Sequence, residues 1–244
     1  MTKKIFLLQF FLILLIFVLP PIFASFGPGG RNLQADFSRL NVYTLPCAAL
    51  AAFLCLQDKN DRQEEEAAGG QMGGEKAQNA GGRLWRLLEL SGHFLLAFGL
   101  LTAAACAARL VLIALGIGEE SLGPAKKLPQ SASGWAACAF TLFAAALYEE
   151  SLYRLYLPKA FRGLIKPKAD ASPKIRAAAT FLAEALPLVL FALAHAWQGV
   201  FAVFNALFAG VVLRLCFVRA KSILPPFLAH LLYNAAALAM AAGA

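Results

Sequence analysis

An all-α polytopic bundle of about seven transmembrane helices is the fold class that this sequence predicts. Three observations predict it. Of the 244 residues, 60% are hydrophobic and only 15% are charged; the mean hydropathy is positive; and the apolar residues gather into seven long runs. A water-soluble fold of this length needs far more Lys, Glu, Asp and Arg to cover its surface, so the apolar excess faces lipid. The formal charge of +8 does not point to nucleic acid, because the basic residues sit in short loops and form no continuous stripe.

A hydrocarbon core about 30 Å thick asks for roughly 20 apolar residues per helix. The first run, about residues 5 to 24, follows Lys3 and Lys4 and ends Ile22-Phe23-Ala24. A cleaved signal peptide is the alternative there, leaving six helices, although the stretch is long for that role. The second run, 42 to 56, is the shortest and completes an N-terminal membrane segment, 1–56. Residues 57–84, with Glu64-Glu65-Glu66 and three Gly pairs, read as a polar flexible cytoplasmic linker. Those glycines form no phosphate loop, since no Gly-Lys-Ser/Thr follows them. Residues 85–132 hold the third span, 92 to 117, and an outer loop. Residues 133–244 hold four spans, at 135 to 157, 177 to 197, 200 to 218 and 223 to 242.

Lys and Arg favour the cytoplasmic side of short loops. With the N-terminus inside, the inner segments carry 15 of them and the outer segments only Arg31, Arg39, Lys126 and Lys127. The five cysteines, Cys47, Cys55, Cys106, Cys138 and Cys216, all fall in apolar runs without a C-x-x-C spacing. They read as small packing residues.

An ionisable side chain at mid-span costs roughly 2.5–3.5 kcal/mol on insertion scales, so each needs a reason. Three places stand out: Glu149-Glu150-Ser151-Leu152-Tyr153-Arg154, Phe191 to His195, and His230 to Asn234. Helical spacing puts Arg154 over Glu150 and leaves Glu149 about 140° away, without a partner on its own helix. Glu149 therefore has the profile of a general base; the structural alternative is a Glu-Arg pair that only holds helices together. His195 shares a face with Phe191, which on its own equally describes a packed helix contact. His230 and Asn234 present an imidazole and an amide side by side, suited to a developing oxyanion or to interhelical hydrogen bonding. Together the three motifs supply a base, an orienting group and oxyanion donors, the set that peptide hydrolysis needs. Arg214 reads as a snorkelling cation near the inner end of its span; Arg109, Glu184 and Asn205 read as cavity-lining or cross-helix groups.

The order Glu-Glu-x-x-x-Arg, Phe-x-x-x-His, His-x-x-x-Asn on successive C-terminal spans resembles the CPBP family (CAAX protease and bacteriocin-processing, Abi), which includes the type II CAAX prenyl endopeptidases. The resemblance covers about residues 135 to 242, with all three motifs intact. It implies an intramembrane peptidase in which Glu149 and His195 activate water, His230 and Asn234 hold the oxyanion, and Glu150 with Arg154 braces the site. It implies a peptide or membrane-protein substrate, membrane-associated or lipidated. No cofactor is the preferred expectation. The alternative is a divalent metal such as zinc on Glu149, His195 and His230, but these come from three helices with no His-Glu-x-x-His pair. Competing functions are a non-proteolytic scaffold or bacteriocin-immunity protein of the same fold, or a small proton-coupled transporter. A compact chain with short loops suits a bacterial inner membrane with the N-terminus cytoplasmic.

One tension is visible in the numbering. If the fifth span starts at Ala177, His195 lies about 27 Å along it, far from the level expected of Glu149. An interfacial helix over 173 to 184, with Pro187 opening the true span, is the expectation that resolves it.

Overall fold

The computed structural model describes residues 3–26, 35–36, 42–68, 80–117 and 126–242. Seven continuous helical rods account for nearly all of them. The first joins α1 (Lys3–Ile13), a π turn (Leu14–Val18) and α2 (Leu19–Phe26); α3 (Thr44–Ala68) and α4 (Ala80–Ala114) follow. The fourth rod joins α5 (Ala132–Glu150), a second π turn (Ser151–Tyr156) and α6 (Leu157–Leu164). Then come α7 (Pro173–Leu193), a 3-10 turn (Ala196–Gln198), α8 (Val200–Ala220) and α9 (Leu224–Ala242). The only extended pairing among the described residues is two residues long, Ala35–Asp36 beside Lys126–Lys127.

Local chemistry explains the ends that matter. Ser131 caps α5 by accepting from the Gly134 amide at 3.1 Å, and Ser172 caps α7 by accepting from Ile175, with Pro173 in the first turn. At Gly199 φ is 103°, a backbone state that side chains disfavour. The chain turns there from the end of α7 into α8.

Among the described residues, four helices are long and apolar enough to cross a membrane: Lys3–Ala24, Gly82–Ala114, Pro173–Gln198 and Val200–Ala220, with Leu224–Met240 a shorter apolar helix. The expected seven helices are present, four of them meeting that measure. The rod through α5 and α6 carries Glu149, Glu150 and Arg154 in its middle, and α3 ends in a charged stretch. The apolar excess lies outside, as a lipid-facing surface requires: Phe181 is 69% and Leu110 67% exposed.

Three sequence expectations change here. The segment expected to be a linker is helical through Ala68 and again from Ala80, while residues 69–79 lie outside the described residues. The span expected to end at 157 runs on to Leu164. And α7 is unbroken from Pro173 to Leu193, with Pro187 inside it, so no separate interfacial helix forms. The longer α5–α6 rod narrows the tension over His195: counted from the loop that α6 and α7 share, at 1.5 Å per residue, Glu149 lies about 22 Å up its own rod and His195 about 33 Å up α7, a gap of about 11 Å.

Two apolar clusters hold the bundle. Phe10, Ile13, Val18 and Ile22 of the first rod pack with Leu54, Leu152, Tyr153, Leu157 and Phe191, so the N-terminal helix is part of the core beside the polar motifs. Ala97, Leu101, Val212, Leu213 and Ala229 join α4, α8 and α9. Small residues permit close approach. A Cβ on Gly210 would lie 3.3 Å from Leu188 Cδ2 and 3.3 Å from Phe191 Cδ1. Gly210→Leu is therefore expected to destabilise the fold by about 1–3 kcal/mol through overpacking, read as an earlier thermal transition in detergent. An unchanged transition would show that Phe191 has room to move.

Candidate active site

The three motifs arrive from three directions. Glu149 and Glu150 end α5, and Arg154 sits on the π turn that follows, a local widening that is frequent at functional sites. Phe191 lies in the last turn of α7, and His195 sits just beyond that helix with φ −97° and ψ 1°. His230 lies in the second turn of α9, brought against α5 partly by the edge-to-face pair Phe143 and Phe227, 5.2 Å between ring centres.

His230 stands between the two carboxylates. Its Nδ1 donates to Glu150 Oε1 at 2.8 Å, and its Nε2 faces Glu149 Oε2 at 3.5 Å. Arg154 approaches Glu150 from the other side, Nε to Oε2 at 3.5 Å, with both side chains fully buried. The Arg154 guanidinium lies 4.0 Å above the Phe191 ring, a desolvated cation–π contact. Phe191 thus occupies the centre of the group. Its ring centre is 4.7 Å from that of His195 and 6.2 Å from that of His230, and Tyr153 packs on it at 5.2 Å.

His195 Nδ1 donates to the Phe191 carbonyl at 2.8 Å. A carbonyl only accepts, so this bond leaves Nε2 of a neutral His195 as the free basic nitrogen. Asn234 is half-buried one turn beyond His230 and makes no hydrogen bond among the described residues. His230, expected to stand beside Asn234, is engaged with the glutamates of another helix. Glu149, expected to lack a partner on its own helix, faces one on another.

The Arg154 guanidinium opposes Glu150 across 3.5 Å, as a fully buried carboxylate requires, since an uncompensated buried ion is strongly destabilising. Glu149 Oε2, Glu150 Oε2 and the three Arg154 nitrogens are nonetheless buried without a protein hydrogen bond. Polar capacity of this kind, concentrated at one place, is where internal water belongs.

Among the described residues no three His, Cys, Asp or Glu side chains converge as ligands. His230 Nδ1 is engaged by Glu150, and both histidine rings pack on Phe191.

A second network escaped the sequence reading. Arg214, 7% exposed, does not snorkel. Its Nε and Nη2 fork the Glu184 carboxylate at 2.7 and 2.9 Å, and its Nη1 donates to the Arg154 carbonyl at 2.6 Å. Arg162 also reaches Glu184, at 3.2 Å. Asn205 accepts from the Tyr233 hydroxyl at 3.1 Å, a cross-helix bond of the kind expected of it.

The described residues form an almost wholly helical bundle with an apolar exterior and a polar core, which points to an integral membrane protein. Residues 131–236 match the family model described as Type II CAAX prenyl endopeptidase Rce1-like. The similarity covers 106 of the 244 residues. No curated protein and no solved structure matches the chain.

Proposed function

We propose that the chain hydrolyses a peptide bond near the C-terminus of a membrane-associated, lipidated protein or peptide, by glutamate-type chemistry at the Glu149 cluster. The observation that carries this reading is His230 held between two carboxylates, 2.8 Å from Glu150 and 3.5 Å from Glu149, amid buried polar atoms that lack protein partners.

In this reading Glu149 is the general base. It takes a proton from water as the water oxygen attacks the carbonyl carbon, and His195 Nε2 orients that water. The carbonyl oxygen becomes an oxyanion, which accepts from His230 Nε2–H and the Asn234 amide. Glu150, bonded to His230 Nδ1, orients the imidazole, and Arg154 balances Glu150. The carbon–nitrogen bond then breaks, the proton passes from Glu149 to the leaving amine, and the new carboxylate departs. The substrate, the bacterial inner membrane and a cytoplasmic N-terminus belong to the same proposal, supported by the family match and the loop charges.

The test uses pure full-length protein and a fluorogenic peptide that ends in a prenylated cysteine and three further residues. The expected result is release of the C-terminal tail, faster than from the unprenylated peptide and undiminished by a metal chelator. Folded protein that cleaves neither peptide would favour the scaffold reading; cleavage abolished by the chelator and restored by zinc would overturn the glutamate-type assignment.

A further inference from the structure

The Arg154 carbonyl has lost its ordinary partner. In an α-helix it accepts the amide of residue 158, and residue 158 is proline, which has none. At this place the helix widens into the π turn Ser151–Tyr156, whose closing amide, Leu157, returns to Leu152. Arg214 on α8 supplies the donor, Nη1 to Arg154 O at 2.6 Å. Glu184 on α7 holds Arg214 by both its other donors, so the guanidinium is aimed before it reaches the turn. Arg214 is itself buried and the fork to Glu184 part-buried, and placing a cation there to satisfy one carbonyl is costly unless the conformation of that turn matters.

The turn carries the side chain that neutralises Glu150, and Glu150 in turn fixes His230. The same device occurs a second time. Phe17, in the π turn Leu14–Val18, would bond the amide of residue 21, which is also proline, and the Tyr148 hydroxyl donates to its carbonyl at 2.8 Å. Tyr148 directly precedes Glu149. Both proline-widened turns are thus closed by a side chain from another rod, and both closures adjoin the glutamate pair.

We propose that Arg214, aimed by Glu184, is a positioning residue that replaces the amide missing at Pro158 and so sets the π turn on which Arg154 meets Glu150. This rests on the peptidase reading for its catalytic consequence, and on geometry alone for its structural one. A merely structural Arg214 would affect stability and leave turnover of the folded fraction unchanged. A positioning Arg214 affects turnover, and becomes dispensable when residue 158 regains an amide.

The experiment is a double-mutant cycle in the full-length protein with Arg214→Gln, Pro158→Ala and both. Turnover is measured on the prenylated fluorogenic peptide, and backbone hydrogen exchange is followed over residues 151–160. Arg214→Gln is expected to lower kcat by about 10- to 100-fold with KM within about two-fold, as misplacement of a reacting constellation does, and to speed exchange in the turn. Pro158→Ala alone is expected to stay within about three-fold of the parent, and the pair to recover most of both losses, the coupling expected of contacting sites. If Arg214→Gln does not fold, Arg214→Lys, which keeps one donor for the carbonyl, takes its place in the cycle. An unchanged kcat in folded Arg214→Gln, or a double variant no better than the single one, overturns the proposal. A parent that cleaves nothing overturns the peptidase reading instead, while the exchange cycle still decides whether Arg214 and residue 158 substitute for each other.

Discussion

Glu149→Gln is expected to lower kcat on the prenylated peptide by about 10²–10⁴-fold, the range that a positioned general base contributes. KM should change little, because the amide keeps the volume and polarity of the carboxyl group and loses only the capacity to take a proton. Thermal stability should fall by much less than the activity. Glu149 is the more exposed carboxylate of the pair, its side chain 21% accessible, and it faces His230 at 3.5 Å without a hydrogen bond. A variant that retains near-parental kcat would remove Glu149 from the chemistry and return it to the role of a helix contact.

The second large effect concerns stability. Arg154→Met should cost about 3–5 kcal/mol, because it leaves Glu150 buried and opposed only by His230, and breaking one half of a desolvated pair costs more than the pair is worth. The expected measurement is a large fall in the detergent melting temperature or in the yield of monodisperse protein. Glu150→Gln combined with Arg154→Met removes both charges and should recover at least half of that loss without recovering cleavage. If the double variant is as unstable as the single one, the guanidinium acts mainly through its stacking on Phe191, 4.0 Å away, and not through the carboxylate.

Much of the candidate site was legible from spacing within single helices. Arg154 four residues after Glu150 meets it, and Phe191 four residues before His195 touches it. The relations between helices were not legible in the same way. Nothing in the His230-x-x-x-Asn234 spacing says that His230 will turn toward two glutamates 80 residues earlier rather than toward its own helical neighbour. That choice follows from the approach of α9 to α5. Arg214 was misread for a related reason: hydropathy locates a cation along its span but does not see a carboxylate 30 residues away on another rod. A signal was nonetheless present, since Pro158 lies four residues after Arg154 and leaves its carbonyl in need of a donor from outside the helix.

The depth of the site shows the same division. The apolar composition by itself determined that the chain is helical and lipid-facing, and the placement of charged residues within apolar runs determined which segments carry the chemistry, because burying an ion in lipid is too costly to happen without a role. Only the tertiary structure decided where those segments stand against one another: that α6 extends the Glu149 rod to Leu164, that α7 passes through Pro187 unbroken, and that Phe191 rests against Gly210 at the centre of the polar group. The physical reason is that hydropathy and helical period act along one strand of the chain, whereas side-chain contacts across helices depend on packing, which residues distant in sequence settle together.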